Sequence, residues 1–267
     1  MIVDVHTHAF PDTLAARAIA AIEGHGGSGA RHVLDGTVAD LLRSMDRAGI
    51  THAVVLNIAT RPEQYESILR FCEAIRSRHA PRLIPFPSVH PADPDLRKRL
   101  ERIQQEGFLG IKLHTHYQDF VFDEERLMPL YETLEELGLI LEAHSGHDIA
   151  FPRDGRCTPE RIVRVLDRFP RLRFIASHFG AWLAFDEVRR WFLGRPIHLE
   201  ISMSLPHIPP LEAKAFIEAH GPQYVFFGSD SPWADQAQTL ADLRRLGLSP
   251  EALRLIEGEN ARRFFNL

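Results

Sequence analysis

A closed (β/α)8 TIM barrel is the fold class this sequence predicts, and three observations carry the prediction. Short β-rich apolar runs alternate about eight times with longer stretches of helical period, the pattern of repeated βα units around a parallel sheet. No composition break, serine-rich linker or low-complexity run interrupts residues 1–267, so one domain is expected to hold them all. With 45% hydrophobic residues over that length the chain can bury a large core, and about eight βα units in one domain close more readily than they spread into an open sheet.

Taken in order, the strands are expected at residues 2–8, 52–57, 83–89, 110–114, 139–144, 173–178, 198–203 and 224–230. The helices between them show apolar residues at spacings of three and four, as in TVADLLRSMDRAG (37–49), PEQYESILRFCEAIRSR (62–78) and DEERLMPLYETLEELG (123–138). Gly49, Gly107 and Gly138 stand where helices stop. The longest interruption, residues 11–36, follows the first strand and is expected to hold one helix and a flexible lid. Its Gly24, Gly26, Gly27 and Gly29 follow a helix, whereas a phosphate cradle joins a strand to a helix, so phosphate binding is not expected there.

Composition narrows the partners. A net charge of -5 and a pI near 6.3 supply no strong basic patch, which argues against a nucleic-acid partner and for a small-molecule substrate. Cys72 and Cys157 are far apart, so neither a disulfide framework nor a cysteine-rich metal site is expected. No apolar run approaches membrane-spanning length and the N-terminus begins a strand, so the expected location is a reducing cytoplasm. The outer helices of a barrel offer surfaces for a homodimer.

The chemistry-bearing residues gather at the C-terminal ends of the expected strands. In DVHTHAFP (4–11), alternation would project Asp4, His6 and His8 side by side, and two imidazoles aimed at one point are half of a metal site. In LGLILEAHSG, alternation groups Ile140, Glu142 and His144; in RFIASHFG it groups Phe174, Ala176 and His178. YVFFGSDSPW runs into Asp230. In a (β/α)8 barrel these ends form the active-site face, where residues from different strands converge. One histidine at a strand end is ordinarily a hydrogen-bonding structural residue. Four histidines and an aspartate on one rim point to a ligand set.

This constellation resembles the amidohydrolase superfamily. DVHTHAFP, GIKLHTHYQDF, the His144 and His178 strand ends, GSDSPW and the closing GENARRFFNL look like the branch that includes aminocarboxymuconate semialdehyde decarboxylase and lactone hydrolases, in order along nearly the whole chain. The resemblance implies a divalent metal held by His6, His8, His144 and Asp230, with His178 beside the reacting water or on a second metal. In binuclear members the lysine matching Lys112 is carbamylated and bridges two metals; in the branch most resembled it stays unmodified. The chain is shorter than most decarboxylases of the branch, which leaves less room for the loops that shape their pockets.

Imidazole and carboxylate ligands favour zinc, while manganese, iron and cobalt also suit a mixed nitrogen and oxygen site. Asp230 is suited to orient a water and move its proton, and His178 to stabilise an oxyanion or hold that water. Asp4 is expected either to fix a ring tautomer or simply to begin the strand. Lys112, binding substrate or pairing with Glu142, and His114 share one side of GIKLH; His114, His116 and His147 are rim candidates for substrate contact. Trp182, Trp233 and Phe151 are expected to wall the pocket, and Arg61, Arg153 and Arg156 to clamp a substrate carboxylate. Three readings follow: a metal-dependent hydrolase of a small carboxylate-bearing lactone, ester or amide; a nonoxidative decarboxylase of a small unsaturated or aromatic acid; and a noncatalytic metabolite-binding barrel. Hydrolysis asks least of the pocket, since decarboxylation also needs a protonatable, electron-accepting substrate.

Overall fold

The computed structural model describes residues 1–24 and 31–267, so the outer part of the expected lid, with Gly26, Gly27 and Gly29, lies outside the described residues. Among the described residues eight parallel strands follow one another: β1 (Val3–Thr7), β2 (His52–Leu56), β3 (Leu83–Phe86), β4 (Gly110–Leu113), β5 (Ile140–Ala143), β6 (Phe174–Ala176), β7 (His198–Glu200) and β8 (Val225–Phe226). Ladders join β1 to β3 and β4 to β8 in sequence order. Backbone bonds close the two gaps: Lys112 N–H donates to the Pro87 carbonyl at 3.1 Å, and between β1 and the segment running on from β8, Val5 N–H donates to the Phe227 carbonyl at 2.9 Å, Asp230 N–H to that of His6 at 2.8 Å and His8 N–H to that of Ser231 at 2.6 Å. The closed barrel is therefore the fold, as the alternation of strand and helix patterns predicts.

Local chemistry sets the helix ends. Thr37 Oγ1 accepts the Asp40 N–H at 3.1 Å to start the helix Val38–Ala48, and Gly49 ends it in the left-handed region at φ 71°. The expected helices over 62–78 and 123–138 each begin with a 3₁₀ turn, Pro62–Gln64 and Glu125–Leu127, before the α-helices Tyr65–His79 and Met128–Leu137. The single helix expected after the first strand is Asp12–Gly24.

Alternation divides the apolar residues into two layers. Val54, Leu56, Phe86, Ile140, Ile175 and Phe226 meet Val3, Val5, Ala261 and Phe265 in an inner cluster, while Val55, Leu113, Leu141, Phe174, Ala176 and Leu199 join the layer beneath the helices. Asn260 of the closing motif ties this floor to β8, its Nδ2 donating to the carbonyls of Pro222 at 2.7 Å and Val225 at 2.8 Å. Phe86 is fully buried with its ring edge-on to Phe265 at 6.1 Å. Phe86→Ala should therefore cost about 3–5 kcal/mol in urea unfolding, by lost transfer energy and the cavity left behind; a loss below about 1 kcal/mol would show that the floor repacks.

Two expectations about strand faces need correction. A bulge shifts the register of β1 between Asp4 and Thr7, so consecutive residues Val5 and His6 both reach the interior while Asp4 turns toward Ser229 and Gln236. Asp4 thus does not share a face with His6 and His8. Phe174 and Ala176 lie in the outer layer, and His178 reaches the interior only because it takes φ 59°, followed by Phe179 at 57°. The strands β6 and β8 end earlier than expected, at Ala176 and Phe226, and a second left-handed residue, Asp230 with φ 67°, follows β8. L-residues rarely adopt this conformation, and non-glycine examples concentrate where function demands them.

Candidate functional site

The bulge in β1 aims two ring nitrogens at one point. His8 Nδ1–H donates to the Leu56 carbonyl at 2.9 Å, and His6 Nδ1–H donates to Glu200 Oε1 at 2.9 Å with Glu142 Oε1 3.1 Å away. Their hydrogens are thereby placed on Nδ1, and the two Nε2 lone pairs face each other at 3.2 Å. Asp230 Oδ1 completes the triangle, 3.4 Å from His6 Nε2 and 3.2 Å from His8 Nε2. This oxygen is buried and has no hydrogen-bond partner among the described residues. Three electron pairs so arranged repel one another unless a cation lies among them. Ligands of a tetrahedral site with bonds of about 2.1 Å stand about 3.4 Å apart, so the spacing suits a divalent metal.

Asp4 supports this triangle from the backbone. Its carboxylate accepts from His6 N–H at 3.2 Å, Ser229 N–H at 3.0 Å, Ser229 Oγ at 2.6 Å and Gln236 Nε2 at 2.8 Å, which joins β1 to the turn carrying Asp230. Burial raises its pKa to about 6 against those bonds. It fixes the main chain and not a ring tautomer.

A second pair of nitrogens closes the other side. His144 Nε2–H donates to the His147 carbonyl at 3.3 Å, leaving Nδ1 3.0 Å from His178 Nε2. Ser202 Oγ donates to Glu200 Oε1 at 2.8 Å and accepts from His178 Nδ1–H at 2.8 Å, so His178 Nε2 also keeps its lone pair. Of the two roles expected for His178, holding a water fits this tautomer and donating to an oxyanion does not. Ligand atoms of His6, His178 and Asp230 lie within 4.8 Å of one another; His144 makes its contact with that group through His178. Burial holds His6 and His144 well below the usual imidazole range and brings His178 to about 4, so all three are neutral at pH 7.

Beneath these rings lies a buried ionic layer. Lys112 Nζ donates to Ser177 Oγ at 2.8 Å and stands 3.8 Å from Glu142 Oε1, with 1% of its side chain exposed. Of the two roles expected for Lys112, substrate binding and a Glu142 partnership, the contact present is the one with Glu142, made inside the barrel. Burial lowers its pKa, with Glu142 opposing, and raises Glu142 well above the carboxylate range. Glu200 is raised to about 7 by burial, against bonds from Ser202 and His178. Sequence reading missed Glu200; a carboxylate between Leu199 and Ile201 in an apolar strand was the available signal.

At the rim His114 Nε2–H donates to Asp148 Oδ2 at 3.0 Å, and its ring stacks on His144 at 4.1 Å. Asp148 was also missed, because nothing in SGHDIA marks it. Burial raises its pKa, but the His114 bond and the Ala150 N–H outweigh this and bring it to about 2. Further rings surround the opening: Tyr117 edge-on to His114 at 4.7 Å, Phe151 stacked on His116 at 5.1 Å, and Trp182 stacked on His147 at 6.0 Å. Trp233 is half-buried beside the centre, its backbone N–H donating to the Asp230 carbonyl at 2.9 Å. Arg156 is committed to Asp154 and Asp119, both at 2.6 Å. Arg153 is exposed on the same loop and joins no ion pair among the described residues. Arg61 is exposed at the start of a 3₁₀ turn, where its backbone N–H donates to Gln64 Oε1 at 3.1 Å.

Comparison with known proteins agrees with this architecture. The sequence profile of the family described as Amidohydrolase matches residues 3–267. A dihydroorotase of Pseudomonas savastanoi pv. phaseolicola is 26% identical over 158 residues, covering 55% of this chain and 44% of the dihydroorotase. The chain thus spans less than half the length of the curated relatives it matches. A TIM-barrel protein of Bordetella bronchiseptica superposes with TM-score 0.83 at 21% identity, over 99% of this chain and 98% of that one. 2,6-Dihydroxybenzoate decarboxylase from Rhizobium gives TM-score 0.74 at 17% identity, over 99% and 98%. A manganese-bound 5-carboxyvanillate decarboxylase of Novosphingobium aromaticivorans gives 0.74 at 17%, over 100% and 97%. At these identities the superpositions speak to the fold alone.

Proposed function

Since the chain belongs to the amidohydrolase family, whose members are metal-dependent enzymes, we propose that it hydrolyses a small carboxylate-bearing lactone, ester or amide. The observation that carries this reading is the triangle of His6 Nε2, His8 Nε2 and Asp230 Oδ1, three electron pairs with no hydrogen between them. His6, His8 and Asp230 would hold the ion with His144, whose Nδ1 is left for it by the bond from Nε2 to His147. A divalent ion there supplies polarisation of a carbonyl oxygen and a lowered pKa for water. Zinc suits the donor set, and the manganese of one structural neighbour makes that metal the second choice.

The chain's own residues do the rest. Asp230, with Oδ1 turned to the ion beside His6 and His8, accepts the proton of the attacking water and returns it to the leaving group. His178 Nε2, neutral and carrying a lone pair, accepts a hydrogen bond from that water and orients it. The rings of His114, Tyr117, Phe151 and Trp182 suit a flat substrate, and the cation of Arg153, in no ion pair among the described residues, suits its carboxylate.

Decarboxylation is the second reading, favoured by that ring-lined opening and by the aromatic acids named for two structural neighbours. Isotopically labelled water separates the two. Hydrolysis predicts one solvent oxygen in the product and no carbon dioxide; stoichiometric carbon dioxide without incorporated oxygen would sink it and establish the decarboxylase.

A further inference from the structure

We infer that Glu200 is the positioning residue of this centre, a single carboxylate at the end of β7 that sets both the ring of His6 and the left-handed turn of His178. The inference rests on the reading of His6 as a metal ligand. Glu200 Oε1 accepts from His6 Nδ1–H at 2.9 Å, from the backbone N–H of His178 at 2.7 Å and from Ser202 Oγ at 2.8 Å; Oε2 accepts the Ser202 N–H at 2.5 Å. Strands one, six and seven are thereby referred to one point. The carboxylate is fully buried, and every donor around it belongs to a residue at the centre or to the Ser202 that orients His178.

Two further observations support the assignment. Gly228 lies against Glu200 Oε2, and a Cβ there would collide with that oxygen, so the segment following β8, the neighbour of β7, leaves room for this carboxylate. Glu142 is the rival partner of His6 at 3.1 Å, but it faces the Lys112 ammonium and has an oxygen, Oε2, with no partner. Glu200 Oε1 stands closer to His6 Nδ1, at 2.9 Å, and shares no ion pair with Lys112 among the described residues, so it is the better acceptor for the His6 proton. A carboxylate that only accepts puts that proton on Nδ1 and leaves Nε2 for the ion.

Glu200→Gln tests this, because the amide would point its NH2 at positions already occupied by donors. His6 would then lose a fixed tautomer, and zinc affinity, measured by competition with a chromophoric chelator, should fall about 10–100-fold. Glu142→Gln should change it less than about threefold, and Glu200→Asp, with its charge but a shorter reach, should recover only part of the loss. The direct readout needs no variant: long-range ¹H–¹⁵N correlation on the unaltered, metal-free protein should show His6 as the Nδ1–H tautomer. Nε2–H there, or equal zinc affinity in the parent and a folded Glu200→Gln protein, overturns the inference alone. A parent that binds no zinc or manganese overturns the metal reading and the inference with it.

Discussion

Asp230→Asn is expected to lower turnover by about 100- to 10,000-fold while leaving the fold nearly as stable as the parent, the range typical of removing a positioned proton acceptor. An amide oxygen still fits the volume and can still approach a cation, but it cannot carry a proton away from water. Stability should hold for two local reasons. Asp230 adopts φ 67°, and asparagine tolerates that region at least as well as aspartate. Its Oδ1 makes no hydrogen bond among the described residues, so no donor is orphaned by the exchange. Turnover of an identified substrate and a urea midpoint, taken together, check both halves; a variant within about fivefold of the parent rate would remove Asp230 from proton transfer.

Joint replacement of His6 and His8 by alanine should take bound metal from about one equivalent to nearly none, since two of four ligands disappear and the remaining atoms cannot close a site. Elemental analysis of purified protein reads this directly. Stability gives an independent measure. Metal that binds only the folded chain contributes about 2.7 kcal/mol at 100 times its dissociation constant, so a chelator should lower the parent's unfolding temperature and leave the double variant's unchanged. Undiminished metal in the double variant would place the ion elsewhere, with the neighbouring His114, His144 and Asp148 group the first to inspect.

The rim was legible in the sequence to the extent that it depends on local pattern. His8, His144, His178 and Asp230 follow their strands within a few residues, and the strand-helix alternation identifies the end of the barrel on which they gather. Lys112 was legible as an ammonium inside GIKL in need of a partner, which left a substrate and Glu142 as its two candidates. Arg61 and Arg153 were weaker inferences, since the reach of an exposed arginine depends on loop geometry that no periodicity encodes.

Local pattern is enough to specify the barrel, the order of its strands and the residue types at its rim, because hydrophobic period and turn chemistry act over a few neighbouring residues. Which way those residues point depends on contacts between strands far apart in the chain. The bulge in β1 brings Val5 and His6 to the same side, and a left-handed turn carries His178 inward from the parity of Phe174 and Ala176. Both departures are held by carboxylates distant in the chain, Asp4 reaching Ser229 and Glu200 reaching His6 and His178. A backbone conformation costly in isolation persists because buried hydrogen bonds from other strands specify it, and those partners meet only when the barrel has closed.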